Sequence, residues 1–159
     1  MLMQEYDEFE FIGEENEEDL IIQDINRFSE SVIWGTDWTI ETMISQLKKG
    51  NIDLNPKFQR RDAWGEEDKS RLIESLILGI PVPPIIIAEH KKQRNKYIVI
   101  DGKQRLLSLR QFAADNNDEF NNLKLKGLQF LKELNGYKME QIEEDYNLNP
   151  WLRNFLITQ

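Results

Sequence analysis

A strand-to-helix junction constrains the fold of this chain more than any other feature of its sequence. Residues Lys96–Ile100 ("KYIVI") are rich in the β-branched and aromatic types that favour strands. From Gly102 to about Asp115 the apolar residues recur at helical spacing, which predicts a helix. The chain must therefore turn at Asp101-Gly102, where the glycine permits a close approach of the backbone.

Helices and strands are predicted on both sides of this junction. The segment "IPVPP" cannot be helical, because its three prolines fix φ and remove N–H donors. Capping residues and apolar periodicity predict further helices at 40–49, 66–78, 139–146 and from Pro150. Strand candidates are 32–34, 84–89 and 96–100, with a polar hairpin-type connection, "HKKQRN", between the last two. The pattern predicts an α+β domain with a small sheet.

The charge of the chain is distributed unevenly. The net charge of the 159 residues is −9, yet nine of the 29 acids lie in residues 1–19, where Lys and Arg are absent. The remaining 20 acids balance the 20 bases. We expect an acidic, disordered arm over 1–19 and one domain over 31–159. Because the body is neutral, the low pI does not exclude a polyanionic ligand.

The composition points to a cytoplasmic protein. No apolar run approaches the roughly 20 residues that a membrane helix needs, and the N-terminus is acidic where a signal peptide would be basic. The absence of cysteine excludes disulfides, thiolate metal sites and cysteine nucleophiles.

The helix that follows Gly102 begins with the wrong charge. Helix N-termini favour acids, but this first turn carries Lys103 and Arg105 beside Gln104. A bound phosphate would resolve the conflict, and Asp101 at the strand end is placed to hold a metal ion or orient a water. The alternative is structural: Asp101 is a turn residue that pairs with Arg105 one helical turn later.

A second cluster combines cations with aromatic rings. "NPKFQRRDAW" places Gln59 and Arg60 near Phe58 and Trp64, a combination suited to stacking on a base while gripping phosphate. The alternative is an arginine-rich surface loop whose two aromatic residues are anchored in the core.

Three segments together resemble a known family. "FQRRDAW", "RLIESLILGIPVPPIII" and "YIVIDGKQRLLSL", in this order and spacing, are similar to the GmrSD-type restriction endonuclease N-terminal domain family, part of the ParB and sulfiredoxin-like superfamily. The resemblance covers about Thr39 to Ala113. It implies a ParB/sulfiredoxin-like fold with a small mixed sheet flanked by helices.

The resemblance also implies functional residues. The family's DGQQR-type box, which binds and turns over nucleoside triphosphates, corresponds to Asp101, Gly102, Lys103, Gln104 and Arg105. Its upstream motif corresponds to Gln59, Arg60 and Trp64, and the "GIPVPP" turn would border the nucleotide. Lys103 replaces the usual Gln, and an F-x-R-[IL]-N segment expected further on is absent before Gln159. We therefore expect the C-terminal part to be truncated relative to the family.

We expect a Mg²⁺-dependent nucleoside-triphosphate hydrolase domain of an anti-phage restriction protein, with Asp101 and Arg105 as catalytic residues and Asp101 as the metal ligand. The alternative is a non-catalytic DNA-binding or sensor module whose same cations contact a DNA backbone. With a single histidine, His90, the chain lacks a His-metal nuclease site. Cleavage would therefore require a nuclease domain or subunit elsewhere. An apolar C-terminal set is expected either to join the core or to support a homodimer: Trp151, Leu152, Phe155, Leu156.

Overall fold

The computed structural model describes residues 38–54, 64–90 and 92–158, together with the backbone of Ile33–Trp34. It contains three strands: β1 (Ile33–Trp34), β2 (Ile86–Glu89) and β3 (Tyr97–Asp101). The α-helices are α1 (Ile40–Lys48), α2 (Glu66–Leu78), α3 (Lys103–Phe112), α4 (Met139–Glu144) and α5 (Asn149–Ile157), with a 3₁₀ turn at Lys132–Leu134. No helix within the described ranges is long and apolar enough to cross a membrane.

The sheet is small and antiparallel, in the order β1-β2-β3. Ile87 of β2 pairs with Trp34 on one side and with Val99 on the other. Parallel pairing among the described residues is limited to an isolated bridge between Ile52 and Tyr97. The α+β class is therefore confirmed. The sequence also predicted a mixed sheet. The three strands are instead antiparallel, because the short polar connection between β2 and β3 makes a hairpin, and the parallel pairing in the described residues is the bridge alone.

Helix α3 lies at the centre of the domain. It packs against both α1 and α2, and every residue from Gln104 to Phe112 is buried. Its last residue, Phe112, meets Phe155 of α5 edge-to-face, with ring centroids 5.7 Å apart. A surface helix would show one apolar stripe. Burial on all faces instead makes α3 the element around which the other helices are arranged.

Because α3 is buried on all faces, its polar side chains must find partners inside the protein. Ser108 Oγ donates to the Gln104 carbonyl at 2.7 Å, and Lys69 Nζ of α2 donates to Gln111 Oε1 at 2.6 Å. Arg110 forms a bidentate ion pair with Asp118 at 2.6 and 2.7 Å. These bonds give Ser108, Arg110 and Gln111 partners inside the protein and fix the rotation of the helix, although the buried Arg110 Nε has no hydrogen-bond partner in the described ranges.

A buried carboxylate organises the segment that follows α3. Glu74 of α2 is 4% exposed, and its oxygens accept the backbone N–H groups of Gln129, Phe130 and Leu131 at 3.3, 3.0 and 2.9 Å. The acceptor lies more than fifty residues earlier in the sequence than its donors. One charged side chain thus holds a segment without regular secondary structure against α2.

The element boundaries predicted from the sequence are confirmed to within a few residues, with instructive exceptions. The second strand begins at Ile86 rather than Pro84, because Pro83 and Pro84 lack the N–H groups that a strand ladder uses. Of the C-terminal apolar set, Leu152 and Phe155 are buried, and the two others pack partly buried against the core. The acidic arm 1–19 lies outside the described residues.

The Arg110–Asp118 pair should make folding stability depend on pH. Burial alone would raise the pKa of Asp118, but hydrogen bonds from Arg110 and the Phe120 N–H, with the charges of Arg110 and Lys48, lower it on balance. A lowered pKa means that this stabilisation is complete above the ordinary carboxyl pKa and is lost as pH falls through the lowered value. Asp118→Asn should reduce the free energy of unfolding at neutral pH by about 1–2 kcal/mol, between the value of an exposed ion pair and that of a charge-assisted hydrogen bond, and flatten its decline in acid. Urea unfolding across pH measures both effects, and Asp115→Asn, at an exposed carboxylate, is the control. Equal pH profiles for wild type and Asp118→Asn would contradict the assignment.

Candidate anion-binding site at the start of helix α3

The candidate site begins with an irregularity in the sheet. Asp101, the last residue of β3, pairs with Ile86, and the register shifts between Ile86 and Ile87. A shift of this kind re-aims the side chains next to it. The sheet therefore ends beside Asp101 with a distortion, and the chain turns directly into α3.

Gly102 makes this turn in a conformation that favours glycine, with φ of +99°. A Cβ atom at this position would lie 3.0 Å from Ile85 Cγ1 and 3.2 Å from Arg105 Nη2. Two factors therefore favour glycine at position 102: the positive φ and the lack of space for a Cβ atom. Its missing side chain is what allows the Arg105 guanidinium to pack against the backbone at the start of α3.

Arg105 is a buried cation with few hydrogen-bond partners. Its exposed fraction is 8%. Nη2 donates to the Pro84 carbonyl at 3.2 Å and lies 3.6 Å from Asp101 Oδ1, which is longer than a hydrogen bond. Within the described part of the chain, neither Arg105 Nε nor Asp101 Oδ1 has a hydrogen-bond partner, although both atoms are buried.

Burial changes the electrostatics of Arg105. Desolvation lowers the pKa of the guanidinium below its usual value, and the nearby charge of Asp101 opposes this change in part. A guanidinium has five N–H donors and remains charged in proteins. Removing it from water without enough acceptors is costly. An additional anionic ligand would offset that cost.

The first turn of α3 adds to the positive character of the site. No acidic residue lies in it, and Gly102 at the N-cap has no side chain to cap the helix. Lys103 is half-buried and Gln104 is buried, and both have interaction partners within the protein. The helix dipole and two cationic side chains thus act in the same region, without an acid in this turn to balance them.

A cavity of about 270 Å³ lies beside Arg105. Its wall comes from α1, α2, α3 and the proline-rich turn before β2. The lining residues are Trp38, Ile40, Met43, Leu72, Leu76, Val82, Pro83, Pro84, Ile85, Arg105 and Leu109. Among their side chains, Arg105 and the indole N–H of Trp38 are the polar groups. The site therefore combines an apolar chamber with one cation in its wall.

The structure brings together part of the predicted site. Asp101, Gly102 and Arg105 are neighbours, and the structure places the proline-rich turn against Arg105. Trp64 is partly buried against the core, as the structural alternative expected of it. Gln59 and Arg60 lie outside the described residues, so their predicted role stays a prediction.

The sequence did not reveal two other features of the site. The acceptor at Pro84 is its backbone carbonyl. Every residue has such a carbonyl, so the residue type does not indicate that this one binds Arg105. The chamber walls, such as Met43 and Leu72, occupy ordinary apolar helix positions that could equally have been core. No sequence signal distinguishes them.

The residues present fit one mode of magnesium binding. Within the described ranges, no group of three or more acidic, histidine or cysteine side chains is arranged to hold a metal ion. Mg²⁺, however, commonly binds through one or two carboxylates together with water and ligand phosphates. Asp101 could supply such a carboxylate, so a metal held jointly with a nucleotide fits this site better than one held by the protein alone.

Gly102→Ala tests the close packing at the turn. An L-residue with positive φ costs about 1–2 kcal/mol, and at Gly102 the new methyl group would also press on Ile85 and Arg105. Gly136→Ala is a matched control, because its φ is +85° and nothing lies within 4 Å of the added Cβ. We expect Gly102→Ala to lower the free energy of unfolding more than Gly136→Ala does, as measured by urea denaturation. Equal losses would show that the contact with Arg105 is not tight.

The family comparison covers the folded region that contains this site. A model of the GmrSD restriction endonuclease N-terminal domain matches residues 40–156, which run from the first residue of α1 to the last but one of α5. No curated protein matches the chain significantly, and no solved structure does. The matched range covers well over half of the chain. The chain therefore belongs to the GmrSD restriction endonuclease N-terminal domain family, which connects it to restriction-type defence proteins.

Proposed function

We propose that this domain binds a nucleoside triphosphate with Mg²⁺ and hydrolyses it, as part of a restriction-type defence protein with a ParB/sulfiredoxin-like fold. The observation that carries the proposal is the under-coordinated guanidinium of Arg105. It is buried, keeps a hydrogen bond to Pro84 and stands 3.6 Å from Asp101. Sites that bind charged ligands often have loose internal contacts that tighten when the ligand arrives.

The burial of Arg105 favours a small ligand over a DNA backbone. Phosphates of a duplex lie on the outside of a rigid helix and reach exposed side chains. A guanidinium that is 8% exposed is poorly placed for them. A nucleotide could instead approach through the cavity that Arg105 lines. The alternative in which Arg105 grips a DNA backbone is correspondingly weaker.

The character of the cavity supports a ligand with two different parts. Its apolar wall suits a planar or aliphatic group, and Arg105 with the start of α3 suits an anion. A nucleotide carries both parts on one molecule. Aliphatic walls make few hydrogen bonds to base edges, so we expect little discrimination between the bases.

The residues can be assigned roles in hydrolysis. Arg105 and Lys103 would neutralise charge that develops on the phosphoryl oxygens. Asp101 would accept a proton from the attacking water, whose oxygen bonds to the γ-phosphorus while the bond to the leaving nucleoside diphosphate breaks, so that inorganic phosphate is released. Bound Mg²⁺ would supply further charge neutralisation at the phosphates. Gln59, Arg60 and Trp64 are proposed to complete the site.

The remaining assignments follow from the family and the composition. DNA cleavage would be performed by a nuclease domain or subunit elsewhere, and the expected location is the cytoplasm. A homodimer also stays a prediction. Leu152 and Phe155 of the C-terminal apolar set are buried in the domain, so they could not contribute to a dimer interface.

Thermal-shift measurements with ATP, GTP, CTP, UTP and inorganic triphosphate, each with Mg²⁺, test the proposal. A ligand bound by the native state raises its stability by about 2.7 kcal/mol at a hundred times its Kd. We expect wild type to be stabilised by all four nucleotides and to release inorganic phosphate from them. Arg105→Lys should weaken binding by about tenfold or more, because one charge-assisted hydrogen-bond geometry is lost.

Two further variants complete this test. Arg71→Ala changes an exposed arginine of α2 and should leave nucleotide binding unchanged. Asp101→Asn should retain binding without metal but lose the gain that Mg²⁺ provides, together with phosphate release. If wild type showed no shift with any nucleotide, or if Arg71→Ala and Arg105→Lys weakened binding equally, the assignment of this site would be wrong.

A further inference from the structure

A second charged feature lies at the opposite end of β3. The connection between β2 and β3 carries Lys92, Gln93, Arg94 and Asn95 in exposed positions. The backbone holds this connection in place, because the His90 N–H donates to the Lys96 carbonyl at 2.6 Å. Asn95 has φ of +60°, and its N–H donates to Glu89 Oε1 at 3.1 Å. The tip is thus a defined hairpin end.

The end of α1 lies beside this hairpin. The Tyr97 N–H donates to the Asn51 carbonyl at 2.7 Å, and Lys96 Nζ lies 3.5 Å from the Gly50 carbonyl and 3.4 Å from Asn51 Oδ1. Lys48 and Lys49 immediately precede Gly50 and are exposed. Cations from two distant segments therefore meet here, and we call them the basic surface: Lys48, Lys49, Lys92, Arg94 and Lys96.

The positive charge of the basic surface is largely uncompensated. None of its five members forms an ion pair with a carboxylate in the described ranges. Glu89, the nearby acid of β2, accepts the Asn95 N–H, so its charge offsets part of the positive charge at the tip. Lys48 acts on Asp118, but that carboxylate is bound bidentately by Arg110.

Interaction with the C-terminal end of α1 explains the positions of some of these cations but not of others. Lys48 and Lys49 stabilise the negative end of the α1 dipole, and Lys96 approaches the carbonyl that follows it. Lys92 and Arg94 lie at the hairpin tip, where no helix ends. An exposed positive cluster on a body with balanced charge raises the local concentration of polyanions. Helix capping therefore does not explain the charges of these two tip residues.

We infer that the β2–β3 hairpin is a contact surface for duplex DNA, separate from the nucleotide site. A two-stranded ribbon fits the major groove, whose edges are read by Arg and Gln side chains, the types present at Arg94 and Gln93. Lys92, Lys48 and Lys49 would contact phosphates on either side.

The composition of the tip distinguishes duplex DNA from other nucleic acids. Single-strand binding uses aromatic side chains as stacking platforms, and residues 92–96 contain none. The nearest ring, Tyr97, is engaged edge-to-face with Trp38 at 5.1 Å. Duplex RNA has a deep, narrow major groove that side chains cannot read. Duplex DNA therefore fits best.

The two sites share one strand. β3 starts at Tyr97 beside the hairpin tip and ends at Asp101, which separates the DNA surface from the anion site by about 13 Å along the strand. Arg105 is buried, whereas Lys92 and Arg94 are exposed. DNA binding can therefore be removed without touching the groups proposed to hold nucleotide.

Fluorescence anisotropy with a labelled duplex, measured over a series of salt concentrations, tests the inference. The full chain should bind duplex DNA with an affinity that falls steeply as salt rises. The double variant Lys92→Ala/Arg94→Ala should bind about tenfold or more weakly, and the slope of log affinity against log salt should fall by about one unit, because Lys92 is the one of the two that is assigned to a phosphate. Lys124→Ala/Lys132→Ala removes two exposed lysines outside the basic surface and should change neither quantity.

The outcomes separate the hairpin from the nucleotide site. All four substituted positions are exposed, and thermal unfolding checks that both variants fold. Arg105→Lys should keep duplex binding, and the hairpin variant should keep any nucleotide shift that wild type shows. The inference is overturned if wild type does not bind duplex DNA, if the control loses as much affinity as the hairpin variant, or if single-stranded DNA or duplex RNA binds more tightly than duplex DNA.

Discussion

The burial of helix α3 on every face is the constraint on which the rest of this domain depends. A helix placed at the centre of a small domain would ordinarily be apolar all round. This one contains Ser108, which donates to the helix's own backbone, and Arg110 and Gln111, whose partners Asp118 and Lys69 come from neighbouring segments. At Arg105 the same arrangement is incomplete, since a backbone carbonyl and a distant carboxylate do not satisfy a buried guanidinium. The Nε atoms of both arginines are buried without a hydrogen-bond partner in the described ranges, so what distinguishes Arg105 from Arg110 is the missing close carboxylate: Arg110 is bound bidentately by Asp118, whereas Asp101 stands 3.6 Å from Arg105.

The secondary structure was largely predictable because its signals are local. Thr39, Gly50 and Gly79 mark helix ends by capping and by positive φ, and the prolines exclude a helix before β2. The antiparallel hairpin followed from a connection too short for a crossover. Packing was less predictable: apolar periodicity showed which face of α1 is buried but not that α3 is enclosed on all sides. That enclosure depends on residues as distant as Phe155.

The candidate site was predictable at Asp101, Gly102 and Arg105 because a charge conflict at a helix start can be read from neighbouring residues. The sequence left two opposite interpretations open, an ion pair within the protein or a bound anion. The structure is compatible with both interpretations. Arg105 and Asp101 are close enough for electrostatic attraction, but at 3.6 Å they do not form a hydrogen bond. The roles of the Pro84 carbonyl and the apolar chamber could not be predicted, because each depends on how segments far apart in sequence meet. Strand β3 then connects this site to the basic hairpin, so two charged ligands could be held by one rigid element.

The carboxylate of Glu74 has a consequence for how the chain can vary in length. Segments without regular secondary structure usually tolerate inserted residues, because few of their backbone groups are committed. At 129–131 three consecutive amides are bound by a side chain of α2. An insertion there would pull donors away from a carboxylate that is almost fully buried. We therefore expect relatives of this domain to accommodate extra residues elsewhere on the surface, and to keep this stretch at constant length despite its irregular backbone.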